Sequence, residues 1–302
     1  TAVPDRVGPA SDNIVWKAPL PPGHSSPVFW GERIFLTASE GGTAKDLGRQ
    51  KIADEGGRLL TICLDRRTGR ILWRREAPRP RLERFQPTNS AASPSPVTDG
   101  KNVYVFFGDF GLLAYSMDGK ELWRHPLGPF NNVNGHGSSP ILDGDLLILV
   151  CDQDTDSYMI AVNKHTGKTA WKVERPESTR SYTTPAIYRP PSGPAELIVP
   201  GAYQLTAYSA QTGEKLWWVR GMSWQPKSTP VVVGDIIYAH SWEGGGEAPE
   251  PTETPAFEEM LGKADSHPDG KLSSAEIAAT GLRLNMATTD LDSDGTLDRR
   301  AW

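Results

Sequence analysis

The residues with the plainest capacity for chemistry lie in two acidic stretches near the end of the chain. The first reads Asp265-Ser266-His267-Pro268-Asp269-Gly270-Lys271-Leu272-Ser273-Ser274-Ala275-Glu276, and the second Asp290-Leu291-Asp292-Ser293-Asp294-Gly295-Thr296-Leu297-Asp298-Arg299-Arg300-Ala301. Oxygen donors at positions one, three, five, seven, nine and twelve, with glycine at six for a sharp turn, suit a hard divalent cation, Ca²⁺ above all. In the first stretch Asp265, Asp269, the Lys271 carbonyl, Ser273 and Glu276 fill that pattern. His267 at position three departs from it, because imidazole is a poor ligand for a hard cation. In the second, Asp290, Asp292, Asp294, the Thr296 carbonyl and Asp298 are in place, but Ala301 stands where a bidentate glutamate would close the site. Each loop is weakened at a different point, and calcium binding by at least one of them is the expectation.

Other chemistry is thin. The histidines His24, His125, His136, His165, His240 and His267 lack metal-ligand spacing, and no nucleophile elbow, P-loop or dinucleotide fingerprint is present. His24 and His136 each precede a Ser-Ser-Pro phrase, which leaves open a ligand-contacting or a structural role for both. Cys63 and Cys151 sit in separate apolar runs and read as buried free thiols, although spacing alone does not exclude a bridge.

Charge divides the chain. From Glu243 onward 13 Asp and Glu face 5 Lys and Arg, a balance of −8, whereas the preceding 242 residues carry +3. No basic stripe of the kind that binds nucleic acid appears, and no run approaches the length of a transmembrane segment. Residues 244–256, GGGEAPEPTETPA, read as a linker, with helical spacing beginning at 257. The expected layout is therefore a body over 1–243, a linker over 244–256 and a small acidic helical module over 257–302.

The body is periodic. A glycine turn followed four residues later by tryptophan recurs as Gly69–Trp73, Gly119–Trp123, Gly167–Trp171 and Gly213–Trp217, with the tryptophans 50, 48 and 46 residues apart. A Ser/Thr-Pro phrase keeps time with it at Pro96, Pro140, Pro185 and Pro230, spaced 44, 45 and 45 residues. Proline at the first residue of a strand forfeits no ladder hydrogen bond, and glycine supplies the positive φ of a tight hairpin. Each unit then reads strand, turn, strand, turn, strand, glycine turn, strand ending in tryptophan. Four short antiparallel strands per ~45 residues is the arithmetic of a propeller blade. The fold expected is all-β, a β-propeller of four-stranded blades, with each tryptophan on an outer strand packed between neighbours. Residues 13–20, with Trp16, read as an orphan outer strand, and the insertion over 40–58 as a polar loop.

Phrases such as AVNKHTGKTAW and AYSAQTGEKLWW, with the opening NIVWKAPLPPGHSSPVFWGERIFLT, resemble the blades of pyrroloquinoline-quinone (PQQ)-like repeat propellers. That family includes secreted bacterial members and the outer-membrane assembly-factor propeller. The resemblance implies a ring of seven or eight blades, of which about five are visible here, so that the propeller continues past residue 302. It also implies a periplasmic or secreted location. Quinoprotein dehydrogenases of this fold carry a vicinal Cys-Cys pair against their quinone, and this chain has no such pair, so PQQ is not expected. The acidic module resembles a pair of EF-hands. The leading reading is a non-catalytic binding scaffold that holds a protein or polysaccharide on its propeller face. A quinone-dependent oxidoreductase, and a hydrolase or lyase using the funnel, are the competing readings.

Overall fold

The structure is a computed structural model that describes residues 14–46, 51–53, 56–241, 255–282, 295–299 and 302. Four four-stranded antiparallel sheets follow one another along the chain, and a two-stranded sheet begins a fifth blade. The first blade is Val28–Trp30, Arg33–Glu40, Arg58–Asp65 and Ile71–Ala77, and the second is Val97–Thr98, Asn102–Phe107, Gly111–Ser116 and Glu121–Pro126. The third is Ile141–Asp143, Leu146–Cys151, Tyr158–Asn163 and Thr169–Glu174, and the fourth is Ala186–Tyr188, Glu196–Pro200, Gln204–Ser209 and Lys215–Arg220. Val231–Val233 and Ile236–Tyr238 open the fifth. First strands of neighbouring blades lie against one another, which places them on the inside of the stack. The chain is thus a β-propeller of four-stranded blades, as its period predicts.

The middle strands of a blade are buried on both faces, because side chains alternate between two neighbours. In Asn102–Phe107, Val103, Val105 and Phe107 pack toward the first blade, while Tyr104 and Phe106 pack toward the third. The tryptophans fix the spacing. In every complete blade the register between third and fourth strands shifts beside the tryptophan, just after its partner on the third strand and just before the tryptophan on the fourth, a bulge that re-aims the ring toward the next blade. There the ring lies on the next glycine turn: Trp73 on Gly119, Trp123 on Gly167 and Trp171 on Gly213. The indole nitrogens of Trp73 and Trp123 donate to the carbonyls of Met117 and Lys164, each at 2.8 Å.

Trp16 uses the same contact on the first blade. Its ring covers Gly69 and its nitrogen donates to the Arg66 carbonyl at 2.8 Å. Residues 14–20 do so without strand pairing, so the tryptophan occupies an outer-strand position on an extended segment. The insertion over 40–58 also differs from a plain loop. Ala44–Asp46 and Lys51–Ala53 form a hairpin whose second strand pairs with Arg84–Phe85, giving a separate three-stranded sheet. The extended segment ahead of the second blade offers free backbone groups, and the hairpin satisfies them. Cys63 and Cys151 are buried free thiols in different blades.

The inner ends of the blades are tied by the Ser/Thr-Pro phrases. The backbone N–H of Ser26 donates to Ser95 Oγ at 2.8 Å, that of Ser95 to Ser139 Oγ at 2.9 Å, and that of Ser139 to Thr184 Oγ1 at 2.9 Å. Each hydroxyl therefore satisfies an N–H of the preceding blade. Proline follows because the next residue needs no donor.

Two alanine substitutions separate the backbone and packing roles of glycine. At Gly119 (φ 80°) a Cβ would lie 2.7 Å from the Trp73 ring, whereas at Gly144 (φ 54°) it meets nothing within 4 Å. Gly144→Ala is expected to cost about 1 kcal/mol from its left-handed backbone alone. Gly119→Ala adds about 1–3 kcal/mol of overpacking. Urea unfolding of the two variants checks this, and equal losses would remove the ring contact from the account.

Candidate functional site

The loops that lead into each first strand meet at one end of the stack, and hydrogen bonds between successive blades hold them there. Gln86 Nε2 donates to Asn134 Oδ1 at 2.8 Å, and Asn134 Nδ2 donates to the Tyr182 hydroxyl at 2.5 Å. Each partner lies 48 residues further along the chain, one blade on. Backbone bonds run beside them, from Gln86 N–H to the Asn134 carbonyl at 3.2 Å and from Tyr182 N–H to the Pro226 carbonyl at 3.0 Å. Asn89 Nδ2 also donates to the Asn134 carbonyl, at 2.9 Å. Above this belt opens a cavity of about 520 Å³, lined by Gln86, Asn89, Asn134, Tyr182, Gln225 and Lys227 with Thr88 and Gly137. Its size is that of a small-ligand site.

Buried ion pairs anchor the loops from beneath. Arg175 and Asp152 are fully buried and meet at 2.7 Å, and Ser181 Oγ donates to the same carboxylate at 2.7 Å. Arg79 pairs with Asp109 at 2.6 Å, Arg81 with Glu83 at 2.5 Å, and Arg180 with Asp154. Burial pushes the carboxyls of Glu83, Asp109 and Asp154 above their ordinary range, against the pull of these arginines. Burial likewise pushes the Tyr182 hydroxyl up to about 12, so it stays neutral and keeps its proton to donate.

His136 is buried among aromatic rings. Its ring is buried edge-on against Phe106 and Phe130, at 5.1 and 4.3 Å between centroids, and its Nε2 has no partner among the described residues. Burial, assisted by the Arg81 charge, pushes it down to about 3, so it is a neutral packing residue. His24 is exposed, with Nδ1 2.9 Å from Ser90 Oγ.

The acidic module has its own small core of Phe257, Met260, Leu272, Ile277 and Leu297. Helix Phe257–Ala264 leads into the first loop, and helix Ser274–Ala279 leaves it. Asp265 Oδ2 accepts the Gly270 N–H at 3.2 Å, which ties the first loop position to the sixth. Leu272 and Leu297, both at the eighth position of their stretches, pair as a short antiparallel ribbon. Glu276 has its oxygens engaged by the chain itself. Oε2 accepts from Ser273 N–H and Oγ at 2.8 and 2.7 Å in a capping box, while Oε1 accepts from Ser266 N–H and Oγ at 2.9 and 2.7 Å. His267 Nδ1 lies 3.1 Å from the same Oε1. These hydroxyl donors hold the Glu276 carboxyl far below its ordinary range, and the carboxylate in turn raises His267.

Asp269 Oδ1 accepts the Lys271 N–H at 2.9 Å. Among the described residues no three acidic, histidine or cysteine side chains converge as a ready cage. The donors fit a hard cation in kind and in loop position, with Glu276 having to exchange its serine partners to reach it. Thr296 and Asp298 lie in the described part of the second stretch, and Asp290, Asp292 and Asp294 lie outside the described residues.

The belt was hidden in the sequence by its spacing. Asn134 and Tyr182 each stand 11 residues after a tryptophan, and Gln86 stands 13 after one. Measured to the proline that leads the first strand of the next blade, Pro96, Pro140 or Pro185, the intervals are 10, 6 and 3 residues, so alignment on proline conceals the match that alignment on tryptophan shows for Asn134 and Tyr182.

The sequence profile described as outer membrane protein assembly factor BamB matches residues 6–132 and 55–247. No curated protein matches the chain. Among solved structures it is similar to a quinohemoprotein alcohol dehydrogenase from Pseudomonas putida HK5, at 14% identity and a TM-score of 0.46 over 66% of this chain and 34% of that one. BamB from Moraxella catarrhalis gives 16% and 0.45 over 68% and 58%, and a europium-containing methanol dehydrogenase 11% and 0.44 over 66% and 42%. The chain thus spans less than two thirds of the length of each.

His136 makes stability pH-dependent in a stated direction. Its folded-state value of about 3 lies below the unfolded 6.5, so the unfolded chain binds the extra proton and stability falls as pH drops below 6.5. From pH 7 to pH 5 this group alone costs about 2 kcal/mol. Urea midpoints of the protein and of His136→Phe at both pH values should diverge by that amount, and parallel midpoints would contradict the burial of a neutral imidazole.

Proposed function

The chain belongs to the outer membrane protein assembly factor BamB family, and from that premise we propose that it is a non-catalytic binding scaffold of the periplasm or cell exterior. Its propeller face holds a protein or polysaccharide, and its acidic module takes up Ca²⁺. The observation that carries this reading is the chemistry of the mouth. The groups around the cavity are amides, hydroxyls and one lysine, already braced against one another between blades. The carboxylates nearby are paired with arginine beneath the surface. Such a lining presents fixed donors and acceptors suited to recognition, with Lys227 the charged group among its described residues. No described helix is long and apolar enough to cross a membrane.

Calcium uptake is supported by donor identity. Asp265, Asp269, the Lys271 carbonyl, Ser273 and Glu276 would hold the ion in the first loop. Asp290, Asp292, Asp294, the Thr296 carbonyl and Asp298 would hold it in the second. All are oxygen donors, the set a hard cation takes. The bound ion would supply charge neutralisation and a fixed angle between the flanking helices.

Calorimetric titration with Ca²⁺, followed by PQQ, tests the whole reading. Ca²⁺ is expected to release or absorb heat and to stabilise the module by about 2.7 kcal/mol at a hundredfold excess over its dissociation constant. The paired substitution Asp269→Asn and Glu276→Gln, which keeps the capping geometry, should remove most of that heat. Absence of any calcium effect sinks the metal proposal. Heat from PQQ would move the protein to the quinone-dependent oxidoreductases and overturn the scaffold reading.

A further inference from the structure

We propose that the inner mouth of the propeller is a saccharide site, taking a short neutral oligosaccharide by its hydroxyl groups. This rests on the scaffold reading and gives its ligand a chemical class. Sugar hydroxyls both donate and accept, so they are best met by groups that do the same, and a planar amide presents a donor and an acceptor side by side. Four amides, Gln86, Asn89, Asn134 and Gln225, and the hydroxyl of Tyr182 stand around one cavity of about 520 Å³, and no carboxylate is among its described lining. Their mutual hydrogen bonds use only part of their capacity. Gln86 spends Nε2 on Asn134, which leaves Oε1 as an acceptor, and Tyr182 accepts from Asn134, which leaves its proton to give. With its acidity suppressed to about 12, that phenol remains a neutral donor.

Gln225 carries a second, independent sign. It is a non-glycine residue at φ 66°, a left-handed conformation that costs energy and is retained where surrounding structure demands it. Pro226, its neighbour, is the residue whose carbonyl receives the Tyr182 N–H, so the strained turn is tied into the belt. Gln225 lines the same cavity as Gln86 and Asn134. A protein partner anchors through an aromatic or aliphatic side chain filling an apolar pocket. The mouth instead offers a ring of short-range polar groups, and an aromatic face at Tyr182 for the C–H side of a pyranose.

The experiment uses the whole chain with four probes: maltotriose, cellotriose, chitotriose and, as the peptide control, trialanine. Saturation-transfer NMR and calorimetry at millimolar concentration should show at least one trisaccharide bound, with affinity insensitive to added salt because no ion pair is involved. Gln225→Gly removes the amide without straining the backbone, and Tyr182→Phe removes the hydroxyl. Each should weaken binding by about threefold to tenfold, the worth of one hydrogen bond, and Gln225→Gly should not lower the melting temperature, because glycine adopts this φ without strain. Failure of all three sugars to bind, or binding unaffected by either variant, overturns the assignment. So does binding of trialanine alone, which would make the mouth a peptide site. None of these outcomes touches the calcium and PQQ titrations, so the scaffold reading stands or falls separately.

Discussion

The structure depends on one contact, a tryptophan ring laid flat on a glycine turn of the next blade. A four-stranded blade has apolar residues on both faces of its middle strands, so it cannot bury itself and needs a neighbour on each side. The distance at which that neighbour sits is set where Trp73, Trp123 and Trp171 meet Gly119, Gly167 and Gly213, positions with no room for a Cβ. Two local features must coincide for this. The bulge before each tryptophan turns the ring out of its own sheet, and the positive φ of the glycine turn exposes backbone for the ring to cover. The bond from indole nitrogen to a turn carbonyl then fixes the ring's rotation as well as its distance.

With spacing fixed at the outer edge, the inner edge follows. Neighbouring first strands come close enough for the hydroxyl of one Ser/Thr-Pro phrase to accept the N–H of the preceding one. The loops above those strands are then near enough for Gln86, Asn134 and Tyr182 to bond in series. Buried pairs such as Arg175 with Asp152 pin the loops from below. Such a pair adds little net stability against an apolar alternative, but losing one partner strands a buried charge at about 3–5 kcal/mol. The loops are thereby braced from two sides, and the polar groups at the mouth are held in place by contacts separate from those that build the sheets.

Legibility in the sequence tracks how far each feature depends on its own neighbours along the chain. The glycine turns, the tryptophans and the proline-led first strands are local, repeat every ~45 residues, and placed the blades within a few residues of where they are found. The insertion over 40–58 was legible only as polar. Its hairpin exists because Arg84–Phe85 supplies a backbone edge more than 30 residues away, a relation no local pattern carries. The mouth was illegible for a related reason. Gln86, Asn134 and Tyr182 are three different residue types, doing one job through contacts that cross blades. His136, equivalent on paper to His24, differs from it through the company of Phe106, 30 residues earlier on a strand of the second blade, and of Phe130 in its own connecting segment.

Glu276 shows how a cap and a proposed metal ligand can share one side chain. As the third residue of helix Ser274–Ala279 it closes a capping box with Ser273, which fixes the direction of its carboxylate by helix geometry alone. Its other oxygen takes Ser266 and lies beside His267, donors from the opposite side of the loop, so the loop is held closed around an anion by its own hydroxyl and imidazole groups. A cation held by both oxygens, as a bidentate closing ligand holds it, would compete with Ser266 and His267 for Oε1 and with Ser273 for Oε2. The start of helix Ser274–Ala279 would then exchange part of its cap for the ion, so the proposed calcium response reaches the first turn of that helix as well as the loop ahead of it.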